Sequence, residues 1–368
     1  MKEVNNSRET QVLEPALRLV AWEITGRCNL FCAHCRASAG NDTGDADLPL
    51  GENLAIVDMI AEIGHPIIIL SGGEPLIRQD IFDIAKYAHE RGLKVVLGSN
   101  GTLITEDMAN KIKEAFITRV AVSLDFPTAE GQDNFRGQGG AFEAALNGIT
   151  NLQRSGIEVQ INTTISRLNI AYIEELLSLA IKLGAVAFHP FFLVPTGRGH
   201  SLADQELSPH QYEDALNWIY DQAQKLSGRI FIKPTDAPHY FRVLSQRKSD
   251  TPEPMSSGNL NSLSRGCLCG TGFCFISHSG EVKGCGYLDI AAGNLREQTL
   301  SRIWYESPLF NDLRHISNIE GKCGRCEYKL ICGGCRARAY ELTGNYMASE
   351  PYCIYQPKKT KNNETEQH

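Results

Sequence analysis

The sequence predicts an α/β protein: a partial (β/α)6 TIM-like barrel followed by a C-terminal cysteine-rich domain. Strand-like and helix-like segments alternate between residues 17 and 230, as in a parallel sheet wound by helices. Six units fit better than the eight of a full barrel because the alternation stops near residue 230. Nine of the twelve cysteines lie between residues 267 and 353, where bound metal can replace a core too small to fold alone.

The predicted elements begin with a strand at 17–25, which leads into a loop with three cysteines. The run 66–70, Pro-Ile-Ile-Ile-Leu, is typical of a strand buried on both faces. Hydrophobic periodicity and turn residues predict helices at 50–63, 78–91, 105–115, 140–155, 169–183 and 204–227, strands at 93–98, 118–124, 157–164 and 185–193, and a short apolar stretch at 229–233.

These segments divide the chain into five predicted parts. They are a flexible N-terminus at 1–15, the barrel at 16–233, a linker rich in Pro, Ser, Asn and Gly at 234–266, the cysteine-rich domain at 267–357, and a disordered tail at 358–368.

The composition limits the possible partners. A net charge of −7 without a basic block argues against nucleic-acid binding, which requires clustered Lys and Arg. The sequence has neither the run of about 18 apolar residues of a membrane span nor the apolar segment of a signal peptide. We therefore expect a cytoplasmic protein that binds neither nucleic acid nor membrane. Its cysteines are then expected to be metal ligands, because the cytoplasm keeps thiols reduced.

The loop after the first strand carries Cys28, Cys32 and Cys35. Three thiolates at this spacing can bind three irons of a four-iron cluster and leave the fourth iron open to a substrate. A zinc knuckle with a distant fourth ligand is the alternative.

A second candidate segment, Ser71-Gly72-Gly73-Glu74-Pro75, follows the second strand. Its glycines would let the backbone approach a ligand, and Glu74 could receive an ammonium group; a plain turn is the alternative. Arg136 could pair with a ligand carboxylate or with a structural Asp. Polar residues at later strand ends suit hydrogen bonds to carboxylate, ribose or adenine groups, or serve as turn and cap residues: Ser99, Asn100, Gly101, Ser123, Asp125, Asn162 and Thr164.

The C-terminal domain contains the run Cys323-x2-Cys326-x5-Cys332-x2-Cys335, followed by Cys353. Four further cysteines precede this run: Cys267, Cys269, Cys274 and Cys285. Because Cys-x2-Cys pairs also bind zinc, a pair of zinc ribbons is the alternative to iron–sulfur clusters.

The first cysteine loop, with Phe31 and His34 inside it, resembles the cluster loop of the radical S-adenosylmethionine (radical SAM) enzymes. The C-terminal cysteines, with Gly280-x4-Cys285, resemble the SPASM/twitch auxiliary-cluster region of the same family, although Cys332 and Cys335 are spaced x2 where x3 is common.

This resemblance implies cofactors and their ligands. A 4Fe–4S cluster on Cys28, Cys32 and Cys35 would reduce S-adenosylmethionine to methionine and a 5′-deoxyadenosyl radical, and the Gly72-Gly73-Glu74 segment would bind its amino group. One or two auxiliary 4Fe–4S clusters are implied. Their ligands would be Cys323, Cys326, Cys332 and Cys353 for one, and Cys274, Cys285, Cys335 and either Cys267 or Cys269 for the other.

Segments between the motifs, among them Gly270–His278 and Cys332–Tyr340, resemble the haem synthases of this family. The resemblance implies a tetrapyrrole substrate, iron-coproporphyrin III, two propionates of which would be oxidatively decarboxylated to vinyl groups. It also implies a low-potential electron donor such as flavodoxin or ferredoxin. Propionates require cationic partners, and the candidates are Arg27, Arg36, Arg198, Arg336 and Arg338. Three residues are candidates to approach the haem iron: His189, His278 and Tyr287. The alternative is that each is an ordinary core or loop residue.

Three alternative functions stay open. Sister enzymes of the family act on didecarboxysiroheme or in d1-haem synthesis. A peptide-modifying maturase would require a peptide-recognition domain before the barrel. Only roughly fifteen residues precede the first strand, which argues against this alternative. A non-enzymatic cluster or zinc module would not need Gly72, Gly73 and Glu74 beside an incomplete cluster.

Overall fold

The computed structural model describes residues 12–13, 15–41, 46–248 and 265–358. Within these ranges, one sheet has the strand order β10-β9-β8-β1-β2-β3-β4-β5-β6-β7. The strands are β1 Leu19–Glu23, β2 Ile67–Ser71, β3 Lys94–Ser99, β4 Arg119–Ser123, β5 Glu158–Ile165, β6 Ala187–Phe192, β7 Phe231–Ile232, β8 Phe273–Ile276, β9 Glu281–Cys285 and β10 Leu288–Asn294. Strands β1 to β7 pair in parallel, β8 adds in parallel to β1, and β9 pairs antiparallel with both β8 and β10.

Helices connect most of the parallel strands. In the described part of the chain they are α1 Leu50–Ile63, α2 Ile81–Glu90, α3 Glu106–Glu114, α4 Ala129–Arg136, α5 Ala141–Arg154, α6 Ile173–Lys182, α7 Pro209–Lys225, α8 Tyr240–Lys248, α9 Leu300–Glu306, α10 Pro308–Arg314, α11 Gly321–Gly324 and α12 Arg336–Thr343. The predicted α/β class, a barrel sheet followed by a cysteine-rich domain, is confirmed. No helix of the described ranges is both long enough and apolar enough to cross a membrane.

The two faces of the barrel sheet differ in burial. On the outer face, side chains such as Val20, Ile68 and Val120 are fully buried because the helices pack there. Ile69 and Ala121, on the inner face, stay partly exposed. The inner face therefore borders a solvent-accessible space, which we call the lumen. The strand predicted to be buried on both faces, β2, is for this reason fully buried on one face only.

Some elements differ from the sequence prediction. The sheet gains β7, which has only two residues, and β8, which joins from the distant cysteine-rich domain. The short helix α4 was not predicted. The predicted linker at 234–266 begins with helix α8, since Ala237, Tyr240 and Val243 are buried in the core; residues 249–264 lie outside the described ranges.

A backbone hydrogen bond ties the predicted flexible N-terminus to the cysteine-rich domain. From the predicted flexible N-terminus, the Leu13 amide donates to the Arg314 carbonyl at 2.9 Å. The predicted tail begins at residue 358, and residues 359–368 lie outside the described ranges.

Arg338 of α12 connects the cysteine-rich domain to the barrel. Its guanidinium is fully buried. It donates to the carbonyl oxygens of Leu193 at 3.0 Å and Asp236 at 2.9 Å, and it pairs with the carboxylates of Glu206 at 3.4 Å and Glu350 at 3.8 Å. Two strand ends of the barrel and two carboxylates therefore depend on one side chain.

We expect Arg338→Met to lower the free energy of unfolding by about 3–5 kcal/mol, because removing one partner leaves buried carboxylates unpaired. The midpoint of urea unfolding measures this change. The matched control is Arg302→Met, since Arg302 is an exposed arginine of α9 that pairs with Glu306 of its own helix; such a pair is worth about 0.3–0.5 kcal/mol. Equal midpoints for the two variants would contradict the proposed connecting role.

Candidate functional site

The three cysteines of the first loop lie together beyond the C-terminal end of β1. Cys32 is buried, and Cys28 and Cys35 are partly buried beside it. Each sulfur accepts one hydrogen bond: Leu30 N to Cys28 Sγ at 3.4 Å, Ala39 N to Cys35 Sγ at 3.3 Å, and Arg136 Nη1 to Cys32 Sγ at 3.7 Å. Donors at sulfur favour the thiolate form that binds metal.

Arg136 supplies the positive charge in this cluster. It is buried and forms an ion pair with Asp125 as well as its contact to Cys32. The Thr164 amide donates to the other oxygen of Asp125 at 2.7 Å. Of the two roles that the sequence left open for Arg136, the structure therefore shows the pairing with a structural Asp.

The thiol chemistry fits a multi-iron cluster. Burial raises the pKa of Cys28 to about 11, and metal ligation reverses this effect because a coordinating thiol loses its proton. In the described ranges, no three His, Cys, Asp or Glu side chains converge on a single metal ion. In a four-iron cluster each thiolate binds a different iron.

The Gly72-Gly73-Glu74 segment packs against the backbone of the cysteine loop. Gly73 N donates to Thr25 O and Glu74 N donates to Arg27 O, both at 2.8 Å. A Cβ atom at Gly73 would lie 2.2 Å from Arg27 O, so no other residue fits. These glycines therefore allow the segment to pack closely on the cysteine loop; the predicted close approach to a ligand stays a prediction.

The Glu74 carboxylate is fully buried at the edge of this site. Its Oε1 accepts from Leu76 N at 3.2 Å and from Ser99 Oγ at 2.9 Å, and its Oε2 accepts from Asn100 N at 2.8 Å. Burial nevertheless raises the pKa of Glu74 to about 7, with these hydrogen bonds opposing the shift. A carboxylate has about four acceptor positions, and these three hydrogen bonds occupy all but one of them.

The other polar residues at strand ends divide into two groups. Ser99 and Asn100 are buried and donate hydrogen bonds to the Glu74 carboxylate, so they position that carboxylate. Ser123 and Asn162 are partly exposed on the lumen face, where they are register partners of β4 and β5. Asn162 Oδ1 accepts from Gln160 Nε2 at 2.7 Å, which leaves its amide nitrogen available to a ligand.

The C-terminal cysteines form two groups. In the first, the thiol of Cys269 hydrogen-bonds to those of Cys267 and Cys285, and the charge of Cys267 acts on Cys335. The second group consists of cysteines whose charges act on one another: Cys323, Cys326, Cys332 and Cys353. Glu350 links the groups, because its carboxylate accepts from Cys335 N at 2.8 Å and its amide donates to Cys323 Sγ at 3.3 Å.

Cys274, which the family resemblance placed among the ligands, belongs to neither group. It lies on β8 opposite Val20 of β1, and both residues are fully buried in the hydrophobic core. Burial raises the pKa of its thiol to about 12, and no charged group contributes to the shift. The structure therefore brings Cys269 to the first group in place of Cys274.

Among the candidate arginines, Arg36 links the Cys28–Cys35 loop to the hairpin that bears Cys285. Its guanidinium donates to Glu23 Oε1 at 3.1 Å and to Gly286 O at 3.2 Å, and it lies 4.6 Å from the centre of the Phe275 ring. The other arginines have structural partners: Arg27 pairs with Asp47, and backbone carbonyls accept hydrogen bonds from Arg198, Arg336 and Arg338.

Three further side chains had been candidates to approach a haem iron. His189 lies on the lumen face with Nδ1 at 3.2 Å from Gln160 Nε2. His278 lies beside Glu23 at 3.7 Å, and the Tyr287 ring is 5.9 Å from the Arg36 guanidinium. Lys233 and Asp236, whose charges act on each other, were not predicted from the sequence. The signal for them is weak, because they follow a strand of two residues.

Comparison with known proteins agrees with this architecture. Residues 22–180 match the model of the radical SAM superfamily, and residues 267–327 match that of the SPASM iron–sulfur cluster-binding domain. An AdoMet-dependent heme synthase of Methanosarcina barkeri is 48% identical over 94% of this chain and 98% of the relative. A second one, from Oleidesulfovibrio alaskensis, is 45% identical over 97% and 92%.

More distant proteins share the fold. The Fe-coproporphyrin III synthase of Methanosarcina barkeri is 34% identical over 91% of this chain and 87% of its own length. The crystal structure of SuiB from Streptococcus suis, bound to S-adenosylmethionine, has a TM-score of 0.74 at 16% identity and covers 94% of this chain and 79% of SuiB. The chain belongs to the radical SAM superfamily, as a SPASM-containing enzyme of the family that includes the AdoMet-dependent heme synthases.

Proposed function

We propose that this enzyme makes protohaem by oxidatively decarboxylating two propionates of iron-coproporphyrin III to vinyl groups. The observation that carries the proposal is the contact of Arg36 with Gly286, which places the Cys28–Cys35 loop beside the hairpin that bears Cys285. A site for hydrogen abstraction and a site for an electron acceptor would then border the same lumen. The higher identity to heme synthases than to the Fe-coproporphyrin III synthase supports the same choice.

The reaction needs both sites for reasons of electron balance. When bound, the loop cluster and S-adenosylmethionine supply a carbon-centred radical that takes one hydrogen atom from the substrate. A propionate that has lost a hydrogen atom from its β-carbon becomes a vinyl group by losing carbon dioxide and one electron. That electron needs an acceptor within reach, and the first group of C-terminal cysteines is suited to hold one.

The residues of the first site would have different roles. Cys28, Cys32 and Cys35 would hold the loop cluster, with Arg136 stabilising the negative charge at Cys32. Glu74 would bind the ammonium group of S-adenosylmethionine. Ser123 and Asn162 are in position to hydrogen-bond the rest of that molecule from the lumen face.

The auxiliary ligands follow from the two cysteine groups. We assign Cys267, Cys269, Cys285 and Cys335 to one 4Fe–4S cluster, and Cys323, Cys326, Cys332 and Cys353 to another. The first assignment replaces Cys274 by Cys269. The external electron donor would be a low-potential protein such as flavodoxin or ferredoxin.

The reduced enzyme, supplied with iron-coproporphyrin III, is expected to yield protohaem with two 5′-deoxyadenosines and two carbon dioxides per haem, through a monovinyl intermediate. Anaerobic turnover followed by mass spectrometry measures all of these species. If iron-coproporphyrin III is returned unchanged while didecarboxysiroheme is consumed, the sister reaction is correct. A peptide-modifying enzyme would leave both tetrapyrroles unchanged.

Replacing Cys269 by Ala should remove about four of about twelve irons from the reconstituted protein, because one cubane cluster loses a ligand. Cys274→Ala is the matched control, five residues away on the same segment, and it should keep the full iron content. Iron and acid-labile sulfide analysis measures both variants. The original assignment of Cys274 would be restored if C274A lost iron and C269A did not.

The affinity for S-adenosylmethionine should rise with pH and level off above about pH 7. The pKa of Glu74 is about 7, and only the ionised carboxylate, which predominates above that value, attracts the ammonium group. Glu74→Gln should weaken binding by about tenfold or more and abolish this dependence. Isothermal titration from about pH 6 to 8 tests this, with exposed Glu114→Gln as control. An unchanged pH dependence in E74Q would exclude Glu74 from this role.

A further inference from the structure

Lys233 presents a cation to the lumen at the edge of the parallel sheet. Phe188 of β6 pairs with Ile232 of β7, and both side chains are buried on the outer face. Successive side chains of a strand point to opposite faces, so the following residues, His189 and Lys233, face the lumen. The His189 ring packs at 5.9 Å against Phe231, which also lies on that face.

The ammonium group of Lys233 is left without a direct partner. Among the residues that the structure describes, no hydrogen bond or ion pair involves it, and the only opposing charge that acts on it is Asp236. Burial lowers the pKa of Lys233 to about 8, because a cation removed from water is destabilised. A cation in such a position is destabilised unless an anion pairs with it.

Asp236 is held back from pairing with Lys233. Its backbone is left-handed, with φ of 59°, a strained conformation for a residue other than glycine. Its carbonyl oxygen accepts from Arg338 at 2.9 Å and from Tyr212 at 3.3 Å, and these bonds fix the residue. Within the described ranges, its Oδ2 atom is buried without a hydrogen-bond partner.

We propose that Lys233 binds one carboxylate of the substrate through a charge-assisted hydrogen bond. This inference rests on the proposed function, under which the carboxylate is a propionate of the tetrapyrrole. Arg36 follows the first strand of the parallel series and Lys233 follows the last. The charges of both act on Asp236, so the two cations lie near one shared carboxylate, Arg36 after β1 and Lys233 after β7. A macrocycle with carboxylates on more than one side would offer one to each cation.

The test measures binding of iron-coproporphyrin III to the reconstituted enzyme by anaerobic absorbance titration, without S-adenosylmethionine. Lys233→Met is expected to raise the dissociation constant by about tenfold or more, and Lys233→Arg to restore most of the affinity. Lys94→Met is the matched control, because Lys94 is an exposed lysine at the start of β3. With the tetramethyl ester of iron-coproporphyrin III, which has no charged carboxyls, wild type and K233M should bind equally.

A merely structural role for Lys233 predicts different results. Under the proposal, the partly buried ammonium has no direct partner in the described part of the free enzyme, so the thermal midpoint of free K233M should equal or exceed that of wild type. A structural role would lower that midpoint. If K233M does not fold, Lys233→Gln keeps the size and polarity without the charge and takes its place. Wild-type affinity for the tetracarboxylate in the folded uncharged variant overturns the proposal.

Failure of the proposed function gives a separate outcome. Wild-type enzyme that ignores iron-coproporphyrin III but binds didecarboxysiroheme would refute the haem-synthase reaction. The same titration of wild type and K233M with didecarboxysiroheme, which also carries carboxylates, then decides the role of Lys233: a tenfold loss supports it and equal affinity overturns it.

Discussion

A single buried guanidinium, that of Arg338, connects the two cysteine-bearing parts of the molecule. It donates to carbonyl oxygens after β6 and at Asp236, and it neutralises Glu206 and Glu350, which the chain brings from different regions. Glu350 in turn accepts from the Cys335 amide and donates to Cys323. The positions of both groups of C-terminal thiols relative to the lumen therefore depend on this one charge, and a buried charge of this kind is stable only when every partner is present.

The lumen is the second constraint. Its wall carries polar and charged side chains because the outer face of the sheet already supplies the hydrophobic core. Arg36, Asn162, His189 and Lys233 can thus serve a ligand without reducing the packing that stabilises the barrel. Arg36 and Glu74 illustrate two ways of keeping a charge there: Arg36 is paired with Glu23, whereas Glu74 is held by neutral donors and its pKa is raised.

Local spacing was sufficient to predict much of this arrangement. The loop of Cys28, Cys32 and Cys35, the Gly-Gly-Glu turn and the alternation of strands and helices all depend on residues close in sequence. Whether Cys274 joins the other thiols depends on which face of β8 it takes, and its pairing with Val20 turns it into the hydrophobic core. Cys269 precedes β8 and lies with Cys267 and Cys285 instead. The register of β8 is set by tertiary contacts. Lys233 was missed because a strand of two residues has no periodicity to detect.

The parallel pairing of β1 with β8 has a consequence for the evolution of this architecture. Main-chain register, from Leu19 opposite Phe273 to Trp22 opposite Ile276, determines how far the first cysteine loop lies from the hairpin of Cys285. Main-chain hydrogen bonds hold this register, so homologues can diverge in the side chains of both strands while keeping the spacing between their redox centres.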